Sequence, residues 1–586
     1  MPNFQYFVVS LFCCLTLLRF FLLSELPVDS GDGLAHFFIS QHVWQNPQEL
    51  LNHWGKPLFT LLSAPWAYFG FKTYIFFNLF VYAASTLLAY FIFRYLGVNS
   101  VLVLLFPIAL LTSLDYTNNI LGGMTEVLFG FLALLSGWLL IQKHWVWFAV
   151  VVSFMPFSRS EGQLLIPIAL LILIYFKQWK VLPFILSAFI IYGVIGYFVL
   201  DDFWWYFTQN PYTGAADIYG TGTWMHYVDY WYVHLGVMGF MLLAVCLPAF
   251  IWLSLTKNLS KDKVSIVLYF AVIYFGILWV HMYLWANGKN GALGLTRLAI
   301  HGWPGLMLAC IVVLDQLLSK RTLKTSFAGF SIVFGIWMVF DFPLVHEQPF
   351  PRKAQPDERA VLDAAQFVQN LVENDEIQRV YYYHPLIAYK VGSNLKDKSG
   401  AYIQQNFANY EELFQELKPH DCIILDSHFG QRDMNFPTEK LHLFDEIAVF
   451  TPLNQYVHAG NPIAQVKVLM LGGQTLQKEG QQILIDSEIA LHTDSLYTRL
   501  LDLAATTFRA ETQQFSISST TKKMSEDKIY LVIQSDQSGA SMTLELEGVQ
   551  HWSFSLKKSD ANVFKIFLHN PHNNSGSTQI KIKLHN

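Results

Sequence analysis

The segment VDSGDGLAHFFISQHVWQNPQELLNHWGKPLFTLLSAPWAYFG, residues 28–70, carries charged side chains between two strongly apolar stretches. Its ionisable residues include Asp29, Asp32, His36, His53 and Lys56. Charged groups are costly at membrane depth, so a cluster of them beside apolar spans marks a functional site. We interpret the segment as the first outward-facing loop of a polytopic membrane enzyme, with Asp32 as a catalytic carboxylate and Lys56 as a phosphate-holding cation.

The composition of the whole chain is typical of a membrane protein. Of its 586 residues, 53% are hydrophobic, 16% are aromatic and 14% are charged, whereas a soluble protein carries about 25% charged residues. The formal net charge of -5 and the lack of a basic arm argue against a nucleic-acid partner. The five cysteines are uninformative about disulfides, because four lie in apolar stretches and Cys422, alone in the soluble part, cannot close a bridge within its domain.

Apolar runs long enough to cross a bilayer of about 30 Å predict a mainly α-helical bundle of about eleven transmembrane helices within residues 1–345. Beyond this bundle we expect two soluble domains, an α/β domain over residues 346–478 and a β-sandwich over residues 479–586. The apolar runs cover residues 4–24, 73–93, 97–114, 124–142, 145–158, 162–177, 181–200, 235–256, 264–286, 298–318 and 326–345.

The distribution of lysine and arginine predicts the orientation of the bundle. With the N-terminus inside, alternate loops collect ten of these residues against five, as the positive-inside rule requires. Most acidic side chains of the bundle fall on the opposite side, and an odd number of spans places residues 346–586 there. We therefore expect a multi-pass protein of a bacterial inner membrane, with its chemistry and its soluble domains on the periplasmic face. The ten are Arg94, Lys143, Lys177, Lys180, Lys257, Lys261, Lys263, Lys320, Arg321 and Lys324; the five are Lys56, Lys72, Arg159, Lys289 and Arg297.

The soluble part first alternates helical and strand patterns, which predicts a small α/β layer without a glycine-rich phosphate loop. Helices are expected over 357–373 and around 409–417, and strands over 379–383, 422–426, 447–450 and 466–471. From about Gln481, alternating segments such as YLVIQ, MTLELE and VFKIFL are separated by polar turns. This second pattern predicts an antiparallel β-sandwich.

Two aspartates in the first loop compete for the catalytic role. Asp32 precedes an amphipathic stretch that contains Leu34 and Phe37, so either role, helix N-cap or general base, suits its position. Capping needs only one of the two aspartates, which leaves the other for chemistry. We assign the base to Asp32 and keep Asp29 as its alternative or its supporting partner.

Three cations are candidates for binding an anion. Lys56 either snorkels to the interface or holds the anion, and Arg159 either pairs locally with Glu161 or joins the site. Arg297 lies one turn before His301, so the two face the same way on a helix. An anion between Arg297 and Lys56 would be doubly neutralised.

The remaining polar residues near the predicted outer face are assigned supporting roles. Glu126 begins a helix, where the helix dipole alone favours a carboxylate, and we group it with His53, Glu161 and His301. The 19 histidines include no HExxH motif and no Cys/His cluster. We expect no cofactor; a divalent ion held by Asp29, Asp32 and Glu126 is an alternative without a supporting motif.

The order of these motifs resembles the GT-C superfamily of membrane glycosyltransferases, in particular the protein O-mannosyltransferases and the lipid A aminoarabinose transferases. In those families an Asp, often followed by Glu, precedes an amphipathic helix and a Lys-Pro-Pro-Leu or His-Pro-Pro-Leu segment. Asp32-Gly33 matches the acidic position with Gly in place of Glu, and Gly55-Lys56-Pro57-Leu58 matches the second segment with one proline missing. The stretches SRSEG and GLTRLAIHGWPG are similar to two later arginine-containing turns.

This resemblance covers residues 1–345 and implies transfer of a sugar, with inversion, from a polyprenyl-phosphate donor to an acceptor hydroxyl of a glycan, lipid or protein. It implies Asp32 as the general base and Lys56, Arg297 and Arg159 as ligands of the donor phosphate. Two other functions remain open, a transporter or flippase for lipid-linked saccharides and a cell-envelope scaffold. Transporters tend to have two matching halves with broken helices, and the sequence shows no internal repeat.

Overall fold

The computed structural model divides the chain into two compact units, residues 1–353 and 354–586, which are described separately. In the first unit it describes residues 2–98, 101–209, 220–289, 294–318, 320–341 and 351–353. In the second it describes residues 354–393, 400–404, 413–414, 416–418, 421–434, 436–437, 441, 444–450 and 466–471, and from residue 488 onwards the backbone of the strands alone.

The described part of the first unit is helical. Short 3-10 segments cover Pro47–Leu51, Val101–Leu104, Ser160–Leu164, Trp179–Leu186 and Thr296–Gly302. The α-helices are α1 (Pro2–Leu23), α2 (Asp32–His42), α3 (Pro57–Ala67), α4 (Phe71–Tyr95), α5 (Leu105–Leu111), α6 (Leu114–Gly122), α7 (Glu126–Ile141), α8 (Trp145–Ser158), α9 (Leu165–Tyr175), α10 (Ser187–Leu200), α11 (Trp205–Thr208), α12 (His226–Asp229), α13 (Trp231–His234), α14 (Gly236–Leu255), α15 (Lys261–Ala286), α16 (Trp303–Leu317) and α17 (Arg321–Asp341).

Six helical segments among the described residues are long and apolar enough to cross a membrane, so the chain is an integral multi-pass membrane protein. A seventh span arises if the two halves of a pair bent by 69°, Val101–Leu111 and Leu114–Gly122, count as one. Each of the eleven predicted runs overlaps a helix, but three of these helices are shorter than a span and α17 is not among the six segments. The run predicted over 326–345 ends outside the described residues, and the count of eleven stays a prediction. The six segments are Phe4–Leu23, Phe71–Tyr95, Trp179–Leu200, Gly236–Leu255, Lys261–Ala286 and Thr296–Leu317.

Three lysines adopt the left-handed backbone conformation just beyond the ends of helices. Lys143 follows α7 with φ 58°, and Lys177 and Lys257 follow α9 and α14 with φ 57°. All three side chains are exposed. This conformation costs a non-glycine residue roughly 1–2 kcal/mol, and glycine usually occupies such positions. The three turns belong to the loops that are predicted to be cytoplasmic.

Helix α2 contacts the end of helix α6 at a point where each helix has a glycine. A Cβ atom on Gly33 would lie 2.1 Å from the carbonyl oxygen of Gly122, and one on Gly122 would lie 2.9 Å from Asp29 Cβ. No larger residue fits at position 33 without moving α2. This contact gives a physical reason for the glycine that replaces the Glu of the families with similar motifs.

The second unit begins with the α/β layer. Helix α18 (Pro356–Glu373) is capped by Glu358, which accepts the N–H of Gln355 at 3.0 Å. A five-stranded sheet consists of β1 (Val380–Tyr382), β2 (Tyr402–Gln404), β3 (Cys422–Asp426), β4 (Phe444–Phe450) and β5 (Val466–Leu471). Its strand order is β2-β1-β3-β5-β4; β1, β2 and β3 are parallel, and β5 is antiparallel to β3 and β4. The remaining elements are α19 (Pro385–Val391) and a π-helical turn over Ser427–Asp433.

The predicted α-helix over 357–373 and the four predicted strands of this layer coincide with observed elements. The helix predicted around 409–417 lies largely outside the described residues.

The last part of the chain forms antiparallel sheets. Its strands are β6 (Glu488–Ala490), β7 (Phe508–Ala510), β8 (Gln513–Phe515), β9 (Lys522–Ser525), β10 (Lys528–Gln534), β11 (Ser541–Glu547), β12 (Ser553–Asp560), β13 (Val563–His569) and β14 (Ser577–His585). The strand orders are β12-β13-β10-β9 and β11-β14-β6, and β7 and β8 form a separate pair. The antiparallel strands agree with the sequence pattern. The packing of sheets into a β-sandwich stays a prediction, as does the domain boundary at residue 478.

Substituting Gly33 by Ala tests the close contact between α2 and α6. The added methyl group would clash with a backbone oxygen, so we expect a loss of roughly 1–3 kcal/mol in stability. The measurement is the thermal midpoint of the detergent-solubilised protein. Gly276→Ala is the matched control, because a Cβ atom at that helical position meets open space; an equally stable G33A variant would contradict the contact.

Candidate active site

The two aspartates of the first loop have different partners. Asp29 Oδ1 accepts the backbone N–H groups of Gly31 and Gly33 at 3.1 and 2.9 Å. Asp32 is the first residue of α2, and the N-cap residue is Gly31, which makes no side-chain cap. Asp29 thus satisfies the amides at this helix end, and the capping role considered for Asp32 is not the one its side chain has.

Arg297 joins both aspartates to a third carboxylate. Its Nη1 donates to Asp29 Oδ2 at 3.2 Å, its Nη2 donates to Asp32 Oδ2, and its Nε lies 3.7 Å from Glu126 Oε1. The side chain of Asp32 is 36% exposed and that of Glu126 is fully buried. Asp32 Oδ1 has no hydrogen-bond partner among the described residues. One oxygen of Asp32 is therefore anchored and the other can meet a ligand.

Arg159 extends the same network. Its Nη1 donates to Glu126 Oε1 at 3.1 Å and to Thr125 Oγ1 at 3.0 Å. Two parallel bonds join it to Glu161, from Nε to Oε2 at 3.2 Å and from Nη2 to Oε1 at 3.1 Å. The sequence left open a local pair with Glu161 or a role in the site. The local pair is present, together with the contact to Glu126, and the role of Arg159 as a phosphate ligand stays a prediction. Bidentate pairs of this kind fix the orientation of both groups.

Two buried histidines lie behind Glu161. His281 Nε2 is 3.4 Å and His301 Nε2 is 3.7 Å from Glu161 Oε1. Their rings are nearly parallel, with centroids 6.4 Å apart. His301 was predicted to lie near Arg297, whereas His281 was missed. The sequence could have identified His281, because it is a histidine inside an apolar span, where an ionisable group suggests a function.

Lys56 lies at the opposite end of the network from Arg297. It precedes α3 with φ 63°, and its Nζ donates to the His53 carbonyl at 3.2 Å and to Ser160 Oγ at 3.3 Å. Ser160 stands between Arg159 and Glu161 in the chain, so Lys56 adjoins the two-arginine network. His53 is oriented by Tyr206, whose ring it stacks on at 4.8 Å and whose carbonyl oxygen lies 3.1 Å from His53 Nε2.

Burial and charge give the loop residues unusual acidities. Burial raises the pKa of Asp32, but the charge of Arg297 and its hydrogen bond outweigh this, so the pKa lies below its ordinary value. Burial, together with the charge of Asp32, raises the pKa of Asp29 despite Arg297. Burial, and then the charge of Arg159, lowers the pKa of Lys56 to about 7. Asp32 is thus the more acidic of the two aspartates, and Lys56 titrates near neutrality.

Two histidines of the same region are neutral at pH 7. Burial lowers the pKa of His36 to about 3 and that of His53 to about 4. His36 stacks on Trp54 with ring centroids 4.4 Å apart. The sequence placed His36 in the charged segment but gave it no role.

The structure brings together every predicted site residue of the first unit. One chain of ion pairs joins Asp29, Asp32, Arg297, Glu126, Arg159 and Glu161, and beside it lie His301, Lys56 and His53. Among the described residues, no group of three or more His, Cys, Asp or Glu side chains is arranged to hold a metal ion. Asp29, Asp32 and Glu126, the three residues considered for a divalent ion, instead share the guanidinium group of Arg297.

No protein-family model matches the chain, and no curated protein matches it. Two solved structures of ArnT from Cupriavidus metallidurans are similar to it, each at 11% sequence identity and over 80% of this chain. The apo state gives a TM-score of 0.46 over 98% of that chain, and the state bound to undecaprenyl phosphate gives 0.47 over 97%. The likeness falls on one of the families that the motifs resemble, the lipid A aminoarabinose transferases.

Substituting Glu126 by Gln tests the centre of the network. The variant keeps the shape of the side chain but leaves Arg159 and Arg297 without the carboxylate they share, and breaking a buried pair costs roughly 3–5 kcal/mol. We expect a lower thermal midpoint in detergent. Asp201→Asn is the matched control, since Asp201 is exposed in a left-handed conformation that asparagine tolerates; equal midpoints in the two variants would refute a structural role for Glu126.

Proposed function

We propose that this chain is a GT-C-type membrane glycosyltransferase that moves a sugar from a polyprenyl-phosphate donor to an acceptor hydroxyl on the extracytoplasmic face. The observation that carries the proposal is the single connected cluster of Asp32, Arg297, Glu126, Arg159 and Lys56, whose members come from widely separated parts of the chain. A partly exposed carboxylate beside several cations suits a reaction in which a hydroxyl loses a proton and a phosphate gains charge.

In the proposed reaction the acceptor oxygen attacks the anomeric carbon, and the bond from that carbon to the phosphate oxygen breaks on the opposite side of the ring. The configuration at this carbon therefore inverts. Asp32 accepts the hydroxyl proton as general base, which typically contributes 10²–10⁴-fold to a rate. Its lowered pKa makes it a weak base for the free hydroxyl, so the proton moves as the new bond forms.

The departing polyprenyl phosphate carries the electron pair of the broken bond and leaves as a dianion. We assign the neutralisation of the phosphate charge to Lys56. The positive charges of Arg297 and Arg159 add to this neutralisation through space. The Lys56 Nζ atom contacts Ser160, between Arg159 and Glu161 in the chain, so the lysine lies beside the network of arginines and carboxylates. In a partly dry site a fixed cation stabilises developing charge more strongly than it would in water.

The finer assignments belong to the same proposal: eleven spans, an inner-membrane location, a periplasmic second unit and a β-sandwich at its end. A transporter or flippase for lipid-linked saccharides and a cell-envelope scaffold are the competing functions. Neither function requires an aspartate that has one oxygen bound by an arginine and the other oxygen accessible to a ligand. The sugar is open, and the acceptor class is a hydroxyl of a glycan, a lipid or a protein.

Substituting Asp32 by Asn separates these functions. The variant keeps the size of the side chain but cannot take a proton, so we expect sugar transfer to fall by about 10²–10⁴-fold while binding of polyprenyl phosphate persists. Transfer is measured with a radiolabelled polyprenyl-phosphate sugar, and binding with the unlabelled lipid phosphate. Asp229→Asn is the control, because Asp229 is an exposed acid of the same predicted face; transport or scaffolding predicts little difference between the two variants.

The pKa of Lys56 predicts the pH dependence of transfer. Because the cation is lost as the pH rises through about 7, kcat/KM, which reports the free enzyme, should fall above pH 7. In Lys56→Arg the cation persists, since an arginine stays protonated in proteins, and the fall should move to a higher pH. Lys289→Arg, at an exposed lysine, should leave the profile unchanged. A basic limb that remains near pH 7 in K56R would exclude Lys56 as its source.

A further inference from the structure

The loop that leads into the catalytic aspartates is held by a residue at the other end of the first unit. The backbone N–H of Arg352 donates to Ser24 Oγ at 3.0 Å, and its carbonyl oxygen accepts the N–H of Glu25 at 3.0 Å. The side chain of Arg352 is buried, and its Nη1 donates to the carbonyl oxygens of Pro27, at 2.7 Å, and Val28. Residues 24–28 are thus bound to Arg352 by both backbone and side chain.

The Val28 carbonyl is the last backbone group before Asp29. Asp29 in turn accepts the amides of Gly31 and Gly33, and Gly33 packs against Gly122 with no room for a side chain. A shift of Val28 therefore passes directly to Asp29 and then to the first residue of α2, Asp32. A short, hydrogen-bonded stretch of the chain thus connects the guanidinium group of Arg352 to the aspartate pair.

We propose that Arg352 is a positioning residue of the active site, which sets the place of Asp29 and Asp32 relative to Arg297. The inference rests on the proposed function. It assigns to a residue beyond the last apolar helix the task of holding the first loop. Arginine suits this task because its planar fork presents several donors in fixed directions, so a single Nη group can serve two successive carbonyl oxygens. A misplacement of about 1 Å in a reacting group can cost 10²-fold in rate.

The test compares Arg352→Ala and Arg352→Lys with Lys353→Ala, a change at the neighbouring exposed cation, in the full chain in detergent. With a polyprenyl-phosphate sugar as donor, kcat of R352A should fall about 10²-fold, with KM for the donor changed less than twofold. R352K should lose less, because it keeps a charged donor. Added ethylguanidinium should restore part of the kcat of R352A, which a merely destabilised protein would not show.

Hydrogen–deuterium exchange provides a readout that does not depend on activity. In R352A the peptide covering residues 24–33 should exchange about tenfold faster than in the wild-type protein, because the loop loses the charged donor that holds the Pro27 and Val28 carbonyl oxygens and opens more often. Peptides from α14 should be unchanged in R352A, and residues 24–33 should be unchanged in K353A. Unchanged exchange in residues 24–33, or faster exchange with normal kcat, overturns the inference.

The two proposals fail in different ways. If the wild-type protein transfers no sugar from any polyprenyl-phosphate donor, the proposed function fails, and the exchange experiment still decides whether Arg352 holds the loop. If R352A does not fold, R352K decides the inference through the same exchange and kcat measurements, with normal values in both overturning it.

Discussion

Arg297 binds carboxylates from three places in the chain: Asp29 in the first loop, Asp32 at the start of α2 and Glu126 at the start of α7. Buried ion pairs contribute little net stability, because desolvation offsets the attraction between the charges. What such a group gives is geometry, since each carboxylate is placed by a rigid, planar cation. The arrangement of the site therefore depends on Arg297 more than the stability of the bundle does.

The same arrangement sets the electrostatic balance of the site. Four carboxylates, Asp29, Asp32, Glu126 and Glu161, face three cations, Arg159, Arg297 and Lys56. A phosphate would add negative charge to a group that already has an excess of it. The lowered pKa of Lys56, about 7, allows this lysine to take up a proton when an anion arrives. Binding of an anion and protonation of the site are thereby linked.

The sequence predicted much of this site because charge is conspicuous beside apolar spans. Asp32, Lys56, Arg159 and Arg297 could each be found by that rule, and the spacing of Arg159 and Glu161 already indicated their local pair. The contacts between Arg297 and Glu126, or between His281 and Glu161, could not be predicted, since they depend on how separate helices pack. Nothing in the sequence distinguished Asp29 from Asp32 as the residue that accepts the amides at the start of α2.

The fold was predictable to a similar depth. The apolar runs predicted the positions of the helices, because a helix that crosses a membrane needs a long stretch of apolar residues. The segments of alternating hydrophobicity predicted the strands. The division of runs into full spans and shorter helices was not predictable, because the bend of 69° between the two halves of a pair depends on tertiary packing. Gly33 illustrates the same limit: its departure from the pattern of similar families makes sense only once Gly122 is known to lie against it.

At the left-handed lysines beyond α7, α9 and α14, two requirements of a membrane protein favour different types of residue. Glycine at Lys143, Lys177 or Lys257 would relieve backbone strain in the finished protein. In the predicted orientation these turns are cytoplasmic, and glycine there would also remove positive charge that holds them on that side while the nascent chain enters the bilayer. In that orientation, equilibrium folding and the fidelity of biogenesis favour different amino acids at these turns.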